Sequence, residues 1–167
     1  MITLYNVVSM DGYIAGEDGN EDFIPEKLWP VTLGVVANYD VLVVGKNTYD
    51  TLQSYPKELL EPLEKRGVKK VVVTSDQHFV PKDGYGVVHA LRDIPALADN
   101  ALVISGPTLN TALFDAGMID MMIRHEIPIV LGRGIRQFSV DVQSAFIRTS
   151  EKEIFDGIKE VMYKVGA

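Results

Sequence analysis

The chain has no cysteine among its 167 residues, which excludes a disulfide framework, a thiol nucleophile and any cysteine-based zinc site. Histidine is scarce as well: His78, His89 and His125 stand far apart without ligand spacing, so surface or satisfied core positions are expected rather than a metal centre. No apolar run approaches the roughly 18 uninterrupted residues of a spanning helix, so no membrane partner is expected. Basic residues are outnumbered, 16 against 23 acidic ones, for a net charge of −7. Clusters such as Lys65-Arg66 and Lys69-Lys70 are short, whereas neutralising a nucleic-acid backbone takes clustered Lys and Arg. A small anion held by backbone N–H groups is not excluded by charge. Met1 to Tyr5 runs straight into a strand pattern without a basic n-region, and the expectation is a cytoplasmic protein. The length fits a single domain, residues 1–167, with a substantial core.

Two places in the chain share one design. Leu102 to Ile104 is an apolar strand that runs into Ser105-Gly106-Pro107-Thr108-Leu109, and Val41 to Val44 runs into Gly45-Lys46-Asn47-Thr48-Tyr49. A glycine at the bend lets a backbone pass close to a bulky anion, and the helix that follows presents N–H groups to it. Pro107 suits the first helical position, where its missing N–H has no partner to lose; the Gly-Pro bond is compatible with either isomer. An ordinary strand-to-helix turn gives the same pattern once, which makes the second occurrence informative.

Strands and helices alternate through the first two thirds. The pattern predicts strands at 2–9, 41–44, 68–74, 86–90 and 101–105, and helices at 26–39, from about 48 to near Pro56, at 57–66, 93–98 and 108–116. This is the order of a mainly parallel sheet with helices on both faces. The last third reads as antiparallel strands, at 118–127, 146–149, 153–155 and 158–165, with Asp156-Gly157 as a hairpin turn. Met121, Met122 and Ile123 look too apolar for a bare edge, which points to a homodimer covering them.

Five blocks in order carry a resemblance: Val8 to Ala15, Asp40 to Tyr49, Ser105 to Leu113, Gly117 to Asp120, and Pro128 to Phe138. Together they resemble the dihydrofolate reductase-like superfamily, and within it the reductase domain of the riboflavin-biosynthesis deaminase-reductase and its small stand-alone bacterial relatives. The resemblance implies an α/β, three-layer fold with a mainly parallel central sheet and antiparallel C-terminal strands, and a homodimer. It implies NADPH, in preference to NADH, lying across the carboxyl ends of the strands. Gly45, Lys46, Asn47 and Thr48, with Ser105, Gly106, Pro107, Thr108 and Leu109, would face the diphosphate. Thr74 and Ser75 would lie near the adenosine ribose, with Lys46 facing a 2′-phosphate, and a loop starting at Ile14 and Ala15 would close over the nicotinamide.

The implied activity is NADPH-dependent reduction of a pyrimidine or pteridine-like substrate at a C=N bond, as in the uracil reductase of riboflavin biosynthesis. Hydride transfer to such a bond needs a proton for the nitrogen, and Asp11, at the exit of the first strand, is the candidate to orient substrate or relay it. Phe23 and Tyr49 are candidates to wall the flat heterocycle. The chain departs from the pattern at three points. Asp76 follows the third strand of the series where a basic or neutral residue is usual. Thr51 to Pro56 lacks the Asp-Asp-Pro and nearby Arg that hold a ribose phosphate, and no acid matches the folate site. A nucleotide-binding protein without turnover and a dihydrofolate reductase are the alternatives.

Overall fold

β-Branched and aromatic side chains fit a pleated surface better than a helix, and they set the first strand of the computed structural model, β1, at Ile2–Ser9. The structure describes residues 1–166. After β1 come β2 (Tyr13–Ala15), a 3-10 turn at Glu26–Leu28, α1 (Trp29–Val36), β3 (Val41–Gly45), α2 (Lys46–Gln53), α3 (Lys57–Glu64), β4 (Lys69–Val73) and β5 (Tyr85–Val88). A second 3-10 turn at Leu91–Ala96 leads to β6 (Ala101–Ile104), α4 (Pro107–Asp115), β7 (Met121–Ile127), β8 (Ile135–Arg136), β9 (Phe146–Phe155) and β10 (Ile158–Val165). Among the described residues no helix is long and apolar enough to cross a membrane.

The chain divides into two compact units, Met1–Ile2 with Glu26–Ser105, and Thr3–Pro25 with the chain from Gly106 onward. In the first, four strands run parallel in the order β5, β4, β3, β6. Val41, Leu42, Val43, Val44, Val71, Val72, Leu102 and Val103 are each at most 1% exposed. Burial on both faces is why these strands read as continuous apolar runs rather than alternating ones. Their starts are aligned by backbone bonds from Asp40 N–H to Asn100 O (3.0 Å) and from Lys69 N–H to Asp40 O (3.2 Å). Lys70, 6% exposed, donates from Nζ to the carbonyls of Arg66 (3.0 Å) and Val68 (2.9 Å), which binds the chain after α3. Its burial pushes the ammonium pKa down.

In the second unit β1 and β7 are parallel, β10 is antiparallel to β7, and β9 is antiparallel to β10. The mainly parallel order with antiparallel C-terminal strands is therefore as expected, but several boundaries differ. The helix expected at 26–39 is a 3-10 turn followed by α1, because Pro30 is admitted only in a first turn. The second 3-10 turn takes the place of the helix expected at 93–98, with Pro95 inside it. The pieces expected at 146–149 and 153–155 are one strand, β9.

The strand expected at 118–127 starts at Met121 and is not an edge. It lies between β1 and β10, with Met122 1% and Ile123 7% exposed. The apolar segment offered as a reason for dimerisation is thus covered by the chain itself. The sequence patterns also missed the ribbon of β2 and β8, which pair antiparallel, since strands of three and two residues are too short for periodicity to register.

Candidate functional site

The sequence-predicted residues fall into two sets. In the first unit, Gly45, Lys46, Asn47, Thr48, Tyr49, Thr74, Ser75 and Ser105 lie at or just past the carboxyl ends of three neighbouring parallel strands. Gly45 is opposite Val73, and Val44 is opposite Ile104, so the exits of β3, β4 and β6 are level. Gly45 ends β3 as the N-cap of α2 in extended conformation, and no side chain caps that helix. The helix begins at Lys46, earlier than the sequence suggested. Its first N–H groups have no intrahelical acceptor, the feature by which helix N-termini can take an anion.

Around this turn the side chains are already engaged. Lys46 Nζ is 2.5 Å from Asp50 Oδ2, one helical turn on, and 5.0 Å above the Phe79 ring. Thr74 Oγ1 accepts the Asp76 N–H (3.2 Å), and its carbonyl is 2.9 Å from His89 Nδ1. Ser75 is exposed, whereas Ser105 is 1% exposed. Tyr49 differs from its expected role. It is 7% exposed, its ring meets Phe79 and Tyr85 edge-on, and its hydroxyl accepts the Lys82 N–H (3.0 Å). Its ring is core packing of this unit and not a wall for a ligand.

The second unit holds Asp11, Ile14, Ala15, Phe23 and Gly106 to Leu109. Gly106 caps α4 with φ −92° and ψ −173°, a conformation open to any residue, and a Cβ added there meets nothing within 4 Å. Neither backbone nor packing within the chain asks for glycine at this bend. No side chain caps α4, Pro107 occupies its first turn, and no peptide bond among the described residues is cis. Thr108 is exposed, and Leu109 is half-buried.

Buried amides fix the start of α4. Asn110, fully buried, donates from its backbone N–H to Gly106 O (3.1 Å) and from Nδ2 to Asn6 Oδ1 (3.2 Å) and Gln137 O (2.8 Å). Gln137 Nε2 donates to Asn6 Oδ1 (3.0 Å), and Arg124 Nε donates to Gln137 Oε1 (2.8 Å). A satisfied network of this kind rigidifies what it joins. Asn110 escaped sequence reasoning, although an Asn inside a helix, where its type is disfavoured, is itself a signal.

Asp11 proves to be a fastener. Its Oδ1 accepts from the Ser9 hydroxyl (2.7 Å) and the Leu131 N–H (3.1 Å), and its Oδ2 accepts from the Gly132 N–H (2.7 Å). The Ser9 hydroxyl bond foremost, joined by the two backbone N–H groups, outweighs desolvation and holds this carboxyl below the ordinary carboxylate range. At neutral pH it is an anion with both oxygens occupied and no proton to relay.

Around this knot Met10 N–H donates to Ile129 O (2.9 Å) and the Tyr13 N–H donates to Ser9 Oγ (3.0 Å). Ile14 and Ala15, expected in a closing loop, are instead held in the β2–β8 ribbon. Residues 16–20 form a turn closed by Gly16 N–H to Asn20 O (2.8 Å). Gly134 in the opposing segment is obligatory, since a Cβ there would sit 2.3 Å from Ala15 O. Phe23 is half-buried. Arg136 lies 5.1 Å over the Tyr13 ring, and exposed Arg133 pairs with Glu17 (3.5 Å).

The one fully buried histidine is a satisfied core residue. The Tyr5 hydroxyl is 2.8 Å from His125 Nδ1, His125 Nε2 is 3.0 Å from Glu160 Oε2, and Glu160 Oε1 is 2.9 Å from Lys152 Nζ. These residues stand on β1, β7, β10 and β9, with His125 opposite Glu160 and Glu160 opposite Lys152 in the ladder. Desolvation lowers the His125 pKa against the pull of Glu160.

No family model and no curated protein matches the chain. Solved structures do. A protein described provisionally as a riboflavin biosynthesis protein, from Shewanella sp. PV-4, superposes with a TM-score of 0.78 at 23% identity, covering 99% of each chain. The diaminohydroxyphosphoribosylaminopyrimidine deaminase/5-amino-6-(5-phosphoribosylamino)uracil reductase of Thermotoga maritima gives 0.73 at 16% identity. This chain is covered to 99% but spans only 56% of that longer protein. Dihydrofolate reductase from Enterococcus faecalis, complexed with NADP(H), gives 0.72 at 19% identity, covering 100% of this chain and 97% of that one. The chain therefore has the dihydrofolate reductase-like fold. Within that fold its solved likenesses include both riboflavin-pathway proteins and dihydrofolate reductase itself.

Proposed function

We propose that the chain is a reductase that takes its hydride from a nicotinamide dinucleotide and delivers it to a pyrimidine or pteridine-like heterocycle at a C=N bond. The observation that carries this reading is Gly106. A residue with no side chain stands at the start of a firmly anchored helix, at the exit of a parallel strand, where neither φ nor packing requires it. Space kept beside uncapped helix N–H groups suits a phosphate of the dinucleotide. In the other unit, taken by itself, the level exits of β3 and β4, with Gly45 and Thr74, lie in the position where open α/β sheets take ligands.

Bound there, the dinucleotide would supply a hydride. The chain's own work is then to bind and orient. The α2 N–H groups and the Thr48 hydroxyl in one unit, and the α4 N–H groups and the Thr108 hydroxyl in the other, are each by themselves candidates to hold phosphate oxygens. Asp11, having no proton to give, would keep the exit of β1 and the segment 131–132 in one shape. The proton for the reduced nitrogen would come from water. The solved likenesses named above support the substrate class, and a homodimer is proposed on the family resemblance alone.

The test is a titration of the purified chain with NADPH and NADH, followed by a screen for oxidation of the bound cofactor with ribosylaminopyrimidines, pteridines and dihydrofolate. Dinucleotide binding with turnover of one heterocycle class is expected. Binding without turnover of any would favour the nucleotide-binding alternative, to which the fully occupied Asp11 carboxylate lends weight. Absence of binding would end the proposal.

A further inference from the structure

The segment from β3 through α2 and α3 to β4 is a βαβ unit whose second strand exits into an acidic loop. β3 and β4 are parallel neighbours with Gly45 opposite Val73, so the turn opening α2 and the loop from Thr74 leave the sheet at one edge. That loop has a set shape. Asp76 N–H donates to Thr74 Oγ1 (3.2 Å), His78 N–H donates to Asp76 Oδ1 (2.9 Å), and Phe79 N–H donates to Asp76 O (3.3 Å). Asp76 is exposed, and of its carboxylate oxygens the loop uses Oδ1.

The cations here are already matched. Lys46 reaches across to the loop, 5.0 Å above the Phe79 ring, but is paired with Asp50 at 2.5 Å. Lys82, further along, is paired with Glu64. The edge thus carries Lys46 against Asp50 and Asp76, a surplus of negative charge. In βαβ nucleotide sites, an acid past the second strand accepts a ribose 2′-hydroxyl, whereas a 2′-phosphate calls for a cation there.

We propose that this edge reads the adenosine ribose through Asp76 Oδ2 and disfavours a 2′-phosphate, so that the cofactor is NADH. The inference rests on the dinucleotide reading above and parts from the resemblance, which implied NADPH through Lys46. A neutral hydroxyl donates to the carboxylate. A phosphate dianion would be repelled by the Asp76 carboxylate and could draw on Lys46 only in competition with Asp50.

The experiment is calorimetric titration of the full chain with NADH and NADPH, in low and high salt, for the parent, Asp76→Asn and Asp50→Asn. Asp76→Asn keeps an oxygen for the His78 N–H and removes only charge. Asp50→Asn releases Lys46. NADH is expected to bind the parent more tightly than NADPH, and each variant to move the ratio toward NADPH by about two- to fivefold, the size of an exposed charge effect. Added salt should shrink the difference. Tighter NADPH binding by the parent, or a ratio unmoved in both variants, overturns the inference while leaving the dinucleotide reading intact. Failure of both cofactors to bind overturns the two together.

Discussion

Gly106 and Gly134 each stand immediately before a regular element, α4 and β8, and they are glycines for opposite reasons. At Gly134 a Cβ would stand 2.3 Å from the carbonyl oxygen of Ala15, so the fold forbids any side chain. At Gly106 the backbone is ordinary and a Cβ would meet nothing within 4 Å, so the fold is indifferent. A glycine the chain does not need for itself is the better sign of something outside the chain. The same contrast separates Asp11, whose two oxygens are consumed by Ser9, Leu131 and Gly132, from Asp76, which keeps one oxygen free of the loop.

The largest effect is expected where the fold forbids. Gly134→Ala drives a methyl into a backbone carbonyl and should cost about 1–3 kcal/mol by overpacking, a fall in Tm of about 2–4 °C per kcal/mol in a chain of this size. A calorimetric scan that matches the parent would show that the ribbon yields freely and would dissolve the contrast. Gly106→Val is the counterpart. Its Tm should stay close to the parent's while dinucleotide affinity drops by about tenfold or more, since a single misfit at a phosphate is worth more than 1.4 kcal/mol. Equal affinity would move the phosphate elsewhere.

Asp11→Asn comes next, with its direction set by the hydrogen bonds. An amide cannot accept at both positions, so one N–H of Leu131, Gly132 or the Ser9 hydroxyl loses its acceptor. Thermal stability should fall first, and hydrogen exchange at the Leu131 and Gly132 amides should quicken. Unchanged exchange would release Asp11 from the fastening role.

A smaller effect is expected from pH. Burial sets the folded-state pKa of His125 below its ordinary 6.5, so the unfolded chain takes up this proton first and stability is lost as pH falls from 6.5 downward through the lowered value. At more acid pH Glu160 adds to the loss. Burial alone would raise its pKa, but the His125 and Lys152 bonds hold it below the ordinary 4.5, so its contribution disappears below that value. His125→Gln should flatten the upper part of a plot of Tm against pH. A slope that survives the substitution would assign it to another group.

The parallel part of the fold was legible because buried strands announce themselves as β-branched runs and their helices as segments opened by glycine or proline. What escaped was whatever depends on partners far along the chain. Asp11 is 120 residues from Leu131, so nothing near it in sequence distinguishes a fastener from a proton relay. β7 read as an exposed edge because its apolar side chains are visible in the sequence and its neighbours β1 and β10 are not. Tyr49 stood beside a candidate phosphate turn, but its ring is claimed by Phe79 and Tyr85. The two strand-to-helix turns at Gly45 and Gly106 were readable because both their strand and their helix are local.

β9 forms one end of its sheet, pairing with β10 alone. A free edge of this kind invites further strands, and here it is studded with Arg148, Glu151, Lys152 and Glu153, all exposed. Charge is a guard that depends on the solvent. Charged side chains along an edge strand disfavour its pairing with another copy. Concentrated salt, which screens such a row, is expected to weaken that guard and to favour pairing of copies along β9.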